Sequence, residues 1–421
     1  MTNLKKAPAC LDLCVVTDDF EAAAKETLSE KSWIYASSSA SSGLSHQFNL
    51  DDWSRINFRP RIMKKVNTLD TSRNVLGKKS KLPFFITAMG TLGSAHPGAE
   101  PALVQGATCK GINAVISTAT SKSPESIMEA HLSEQKKMNN RSPTRLDFQL
   151  YVPTDRTKAK ALIQRIKVAG YHSLWITVDS STQGKRTADR YLQAQEKLDE
   201  GGEVVREAAA DNDFGPAFGG RPTAGYLHPG LTWEDIAWIS EEWGGPIVLK
   251  GIQSVEDVKL AVQYGVQGVL LSNHGGRQIH SAPSALMTLL EIRSYYPEAF
   301  EKLEVFVDGG LRDGADVLKA LCLGATAVGV GRPYFYALAA YGTDGVEKCT
   351  DSKCRCLRYI QVQRRMLTVF EVLTEELEIC MKMLGVSSLD QLHPGLVNAS
   401  RLLNEMWRPD SFSPSGLKAK L

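Results

Sequence analysis

Eight short, continuous apolar runs separated by amphipathic stretches constrain this chain more than any other feature. They lie at Pro83–Thr87, Asn113–Ser117, Asp147–Val152, Leu174–Asp179, Pro246–Lys250, Gly268–Ser272, Val305–Asp308 and Ala327–Gly331. Runs of this length read as strands buried on both faces, as in parallel sheets. Between them, stretches such as Ser254–Tyr264 and Asp313–Leu323 carry the spacing of helices packed on one side. Strand and helix alternating eight times is the layout of an α/β protein of TIM type, a closed parallel (β/α)8 barrel. A doubly wound sheet alternates too, but does not usually run to eight units.

Such a barrel places its functional groups at the carboxyl ends of its strands. Thr87, Ser117, Gln149, Tyr151, Thr177, Asp179, Lys250, His274, Asp308 and Gly331 all fall on or just after the ends of the runs. Residues 1–70 precede the first run, with a helical pattern around Phe20–Leu28, and read as an N-terminal helical cap. The barrel is expected over 71–400 and a C-terminal tail over 401–421. The excursion from Ser180 to about Gly230 separates runs four and five and has the length of a loop that covers a site, poorly ordered in part.

The 49 basic and 47 acidic residues leave a net charge of +2, with no overall field to draw in nucleic acid or a membrane. No apolar run is long enough to span a bilayer, and the first residues lack a signal-peptide core. A soluble, non-secreted protein is expected. Eight scattered cysteines read as reduced thiols, and the cluster of Cys349, Cys354 and Cys356 lacks both a CxxC pair and a nearby histidine, so no metal site is expected.

Immediately after the sixth run comes Ser272-Asn273-His274-Gly275-Gly276-Arg277-Gln278. His274 can exchange a proton near neutral pH, and Arg277 can fork a carboxylate. The glycines allow a sharp turn and close approach to a ligand. A lone histidine is more often structural, but a base and an anion clamp delivered together from a strand end are the pattern of an enzyme.

This heptapeptide resembles the active-site signature of the FMN-dependent 2-hydroxy acid oxidases and dehydrogenases, the family of glycolate oxidase, lactate oxidase and flavocytochrome b2. The segments D-W-S-R-I-N-F-R-P-R, I-T-A-M, F-Q-L-Y-V, I-T-V-D, I-V-L-K-G, V-F-V-D-G-G-L-R-D-G and G-V-G-R-P follow in family order. The resemblance implies oxidation of a small-molecule 2-hydroxy acid to the 2-oxo acid, with FMN as cofactor and O2 or another carrier as electron acceptor. It implies His274 as base, oriented by Asp179, with Arg277, Arg186, Tyr151 and Tyr35 at the substrate. For the flavin it implies Thr87, Ala88, Ser117, Gln149, Thr177, Lys250, Ser272, Asp308, Gly309, Gly310, Arg312, Gly331 and Arg332. A homo-oligomer, commonly a tetramer, is also implied. A haem domain like that of flavocytochrome b2 is not expected in this length. The terminal Ala419-Lys420-Leu421 is a variant of the S-K-L peroxisomal address, and a peroxisomal location is expected from it.

Three departures cluster around the substrate. Where the family has Y-Y-A-S-G-A, this chain has Trp33-Ile34-Tyr35-Ala36-Ser37-Ser38, placing Ile34 at the position of the substrate tyrosine. Ser117-Thr118-Ala119-Thr120 lacks the tryptophan of glycolate oxidases, and Ile279-His280 replaces the usual Leu-Asp. A remodelled, wider pocket is expected. Oxidation of a carboxylate-bearing amine or imine, and a catalytically silent flavoprotein scaffold, are the alternatives. Around 345–370 the chain also carries about twenty residues more than the family pattern, an insertion read as a surface helical extension or an untranslated segment carried into the chain.

Overall fold

The computed structural model describes residues 11–139, 144–199, 227–350 and 372–408. Eight parallel strands close into a barrel: β1 (Phe84–Ile86), β2 (Ala114–Ser117), β3 (Leu146–Leu150), β4 (Leu174–Thr177), β5 (Ile247–Ile252), β6 (Gly268–Leu271), β7 (Glu304–Asp308) and β8 (Ala327–Val330). Pairing of Val328 with Phe84 and of Val330 with Ile86 joins β8 to β1. All eight coincide with the apolar runs of the sequence. One end differs: β5 continues past Lys250 to Ile252, with a register shift against β6 between them.

Strand periodicity explains both the core and the site. Side chains alternate along a strand, so residues two apart share a face. Phe85, Val115, Trp175, Val248, Leu270 and Phe306 point inward and fill the barrel, with the Trp175 and Phe306 rings 5.0 Å apart. Two residues further along each strand stand Thr87, Ser117, Thr177, Lys250, Ser272 and Asp308, all buried and all polar. The same step from Asp147 gives Gln149. The apolar layer therefore supports a polar layer at the mouth.

At the opposite end a hairpin (Arg73–Val75 with Lys78–Ser80) plugs the barrel, inserting Val75 and Leu76, and Glu304 accepts the Leu76 N–H at 2.7 Å. Before the barrel come helices α1 (Thr17–Thr27), α2 (Glu30–Ser37) and α3 (Leu44–Ser54). The outer helices are α4 (Ala99–Lys110), α5 (Pro124–Lys137), α6 (Arg156–Ala169), α7 (Thr187–Asp199), α8 (Asp235–Trp243), α9 (Val255–Gln263), α10 (Ala285–Tyr295), α11 (Gly314–Cys322), α12 (Arg332–Thr350) and α13 (Val372–Leu384). Many starts are capped as the sequence dictates: Ser123, Ser254, Ser284 and Asp313 each accept a backbone N–H from the first turn.

The excursion after β4 is described as far as α7, which packs beside α2: Lys31 pairs with Glu196 at 3.0 Å and Ser38 donates to Asp189. Residues 200–226, most of the long segment before α13, and the Ala-Lys-Leu terminus lie outside the described residues.

Candidate active site

The loop after β6 turns back sharply, and His274 itself sits in the left-handed region at φ 61°. Asn273 stabilises that turn: its side chain accepts the Gly276 N–H at 2.9 Å and exchanges amide hydrogen bonds with Asn49 of α3 at 2.7 and 2.9 Å. Gly276 (φ 77°) is required there, because a Cβ would stand 2.5 Å from the His46 backbone nitrogen.

His274 Nδ1 lies 3.0 Å from Asp179, whose carboxylate can only accept, so Nδ1 carries the ring proton. That leaves Nε2 with its lone pair, 3.3 Å from the Tyr151 hydroxyl and on the cavity side. Burial and the Lys250 ammonium push the His274 pKa down against the opposing pull of Asp179. The imidazole is therefore neutral near pH 7 and able to accept a proton. Burial alone would raise Asp179, but His274 and Lys250 outweigh it and bring its pKa down to about 2. Burial raises the Tyr151 phenol, which stays protonated.

Two arginines face the same space. Arg277 Nη1 is tethered to the Tyr35 carbonyl at 2.6 Å and its guanidinium lies 4.9 Å from the Tyr35 ring. Its buried Nη2, like the buried Nε of Arg186, has no hydrogen-bond partner among the described residues. Burial and neighbouring Arg186 push the Arg277 pKa down to about 9. Buried donors without partners on two neighbouring cations favour an anion between them.

Across the cavity, Ser117 donates to Gln149 at 2.9 Å and Gln149 donates to Thr177 at 2.8 Å. Thr87 donates to one oxygen of Asp308 at 2.9 Å, while the other, buried Oδ1, has no partner among the described residues. This lining fits a flavin mononucleotide. The amide and hydroxyl chain matches a polar ring edge, Lys250 supplies a cation, the orphan Asp308 oxygen suits a ribityl hydroxyl, and Gly309 and Gly310 expose backbone beside Arg312.

Of the residues that the resemblance assigns to base, substrate or flavin, all line this one cavity except Asp179, Thr177 and Ser272. Those three stand directly behind it: Asp179 against His274, Thr177 against Gln149, and Ser272 accepting the His274 N–H at 3.1 Å. Arg332 lines the cavity but directs donors to the carbonyls of Ala36, Ser38 and Gly275 and to His46 Nδ1, leaving one Nη1 N–H without a partner among the described residues. Arg312 sits 2.8 Å from Glu21, off the hydrogen-bond direction.

Tyr35, expected at the substrate, lines the cavity and Ile34 does not. Two further features escape sequence reasoning. His46 from α3 joins the lining, held neutral by burial and Arg332, which lower its pKa to about 3. Gln278 ties down the start of the excursion, donating to the Asp179 carbonyl and Ser180 and accepting the Gly184 N–H at 3.0 Å. His46 carries no signal beyond polarity near a motif, and Gln278, though it ends the heptapeptide, carries none for its partners. His280 is exposed, and Arg277 Nη1 is held by the carbonyls of Tyr35, Ala36 and Ser38.

Comparison with known proteins places this geometry among flavoenzymes. The model of the FMN-dependent dehydrogenase family matches residues 24–353. L-lactate dehydrogenase (cytochrome) of Saccharomyces cerevisiae is 36% identical over 407 residues, covering 95% of this chain and 63% of that protein. The chain thus spans less than two thirds of that relative. Glycolate oxidase 3 of Oryza sativa is 33% identical over 91% of this chain and 95% of its own length. Among solved structures, the flavin-binding domain of baker's yeast flavocytochrome b2 superposes with a TM-score of 0.79 at 34% identity, covering 96% of this chain and 90% of that one.

Proposed function

This chain belongs to the FMN-dependent dehydrogenase family, and from that premise we propose that it oxidises a 2-hydroxy acid to the 2-oxo acid with His274 as the base. The observation that carries the proposal is the His274–Asp179 contact at 3.0 Å beside the unused Arg277 and Arg186 donors. The arginines bind the substrate carboxylate, Tyr151 donates to or accepts from its hydroxyl, and His274 Nε2 takes one proton while Asp179 stabilises the imidazolium. FMN, when bound, supplies the two-electron acceptor, and Lys250 places positive charge beside it. Oxidation to the 2-oxo acid releases two electrons and two protons: His274 holds one proton, the acceptor would take the two electrons with the other, and oxygen or another carrier would take them onward.

Ala119, Gly90 and Thr91, small residues on one wall, support a substrate with a larger side chain than glycolate. The Ala-Lys-Leu terminus supports a peroxisomal address, and the family likeness a homotetramer.

The test is flavin reduction in His274→Gln under anaerobic stopped flow. A base contributes about 10²–10⁴-fold, so reduction by an active 2-hydroxy acid slows at least a hundredfold while flavin content is unchanged. An unchanged rate removes His274 from the chemistry.

A further inference from the structure

Away from the site, the run Arg59-Pro60-Arg61-Ile62-Met63-Lys64-Lys65 holds four cations, two large apolar residues and no acid. Every residue of it is exposed, Ile62 at 82% and Met63 at 98%. The base is fixed: Arg59 donates its backbone N–H to Leu396 at 2.8 Å and Arg61 to Leu384 at 3.2 Å, and Leu384 and Leu396 are buried. Contact with Leu384 sets the run beside Lys382 and Met383 at the end of α13, where Met383 is 72% exposed. None of these five cations has an ion pair among the described residues. The tip is turned outward by Met63, at φ 59°. Ser387, just past α13, accepts the Asp70 N–H at 2.9 Å immediately before the hairpin that plugs the barrel, so the end of α13 lies on the side opposite the mouth.

We propose that this loop and the end of α13 dock on an anionic lipid surface, with the active-site mouth facing away from it. Ammonium and guanidinium groups around a protruding apolar tip match both layers of such a surface: the cations meet lipid phosphates while Ile62, Met63 and Met383 enter the headgroup boundary. The near-neutral whole chain has no comparable pull, so the attraction is local to this patch. A two-fold contact with a second copy would set the same cations against one another. A nucleic acid would leave the apolar tip against phosphates.

Flotation of the flavin-loaded protein with vesicles tests this, using neutral phosphatidylcholine against the same lipid with about 30 mol% phosphatidylserine. The wild type is expected to float with the anionic vesicles only and to be released by about 0.5 M NaCl. Ile62→Asp/Met63→Asp and, separately, Lys64→Glu/Lys65→Glu are each expected to weaken binding at least tenfold, with bound flavin and melting temperature retained. Equal flotation with neutral vesicles, none with anionic ones, or variants that float like the wild type would overturn the proposal. A change in sedimenting mass of the variants without vesicle binding by the wild type would also overturn it, assigning the patch to a second copy or a protein partner.

Discussion

At the scale of single residues, the site is a set of groups whose charges have been adjusted by burial and by one another. His274 is kept neutral by burial and Lys250, so its working form persists below the ordinary histidine pKa. The acid limb of kcat/KM is accordingly expected below pH 6.5, and a limb above that value would contradict the assignment of the base. Asp179 is the one neighbour that raises the His274 pKa. Asp179→Asn should therefore move the limb lower still while slowing flavin reduction about 10²–10⁴-fold, since orientation and imidazolium stabilisation are lost together. A rate loss with an unmoved limb would mean that Asp179 acts through packing alone.

At the scale of elements, the bulge in β5 is what admits the carboxylate. Gly251, at φ 107°, faces Asp179 so closely that a Cβ would lie 2.5 Å from Asp179 Cγ. Gly251→Ala is expected to displace Asp179 and slow flavin reduction at least tenfold while flavin remains bound; full activity would show that the strand end can give. Helix α10 supplies a test of stability instead. Burial, with Glu256 nearby, lifts Glu291 to about 7, above its unfolded value near 4.5. Its folded state is thus undisturbed below pH 4.5 and penalised as pH rises through 7. Glu291→Gln should stabilise the protein by about 2 kcal/mol at pH 8 and by little at pH 4.5, as read from urea midpoints. An equal effect at both values would exclude ionisation as the cause.

The elements also show what a sequence can disclose. All eight strands were legible because each is buried on both faces, and the polar layer was legible because period two forces Thr87, Ser117, Thr177, Lys250 and Asp308 above inward apolar residues. The β5 bulge was not, since a single glycine among apolar residues marks a bulge or a turn equally well. Nor was the arrival of His46 at the mouth: one residue along a helix rotates a side chain by about 100°, and only packing of α3 on the barrel fixes the phase. The task of Arg332 depends on where cap carbonyls end, which no motif encodes.

At the scale of the whole molecule, a plugged barrel offers one functional end, and the cap completes it by bringing Tyr35 and His46 to groups carried on strand ends. Arg277 and Arg332 fasten that cap through the carbonyls of Tyr35, Ala36 and Ser38. The arrangement places His274, Asp179, the unpartnered Arg277 Nη2 and Arg186 Nε and a polar lining at one mouth. The most direct test of this account is an anaerobic absorbance titration of the purified protein with short, long and aromatic 2-hydroxy acids, followed at the oxidised flavin band. The account predicts bleaching by a 2-hydroxy acid with one 2-oxo acid formed per flavin. A flavin that only amines reduce, or that no such donor reduces, would contradict it.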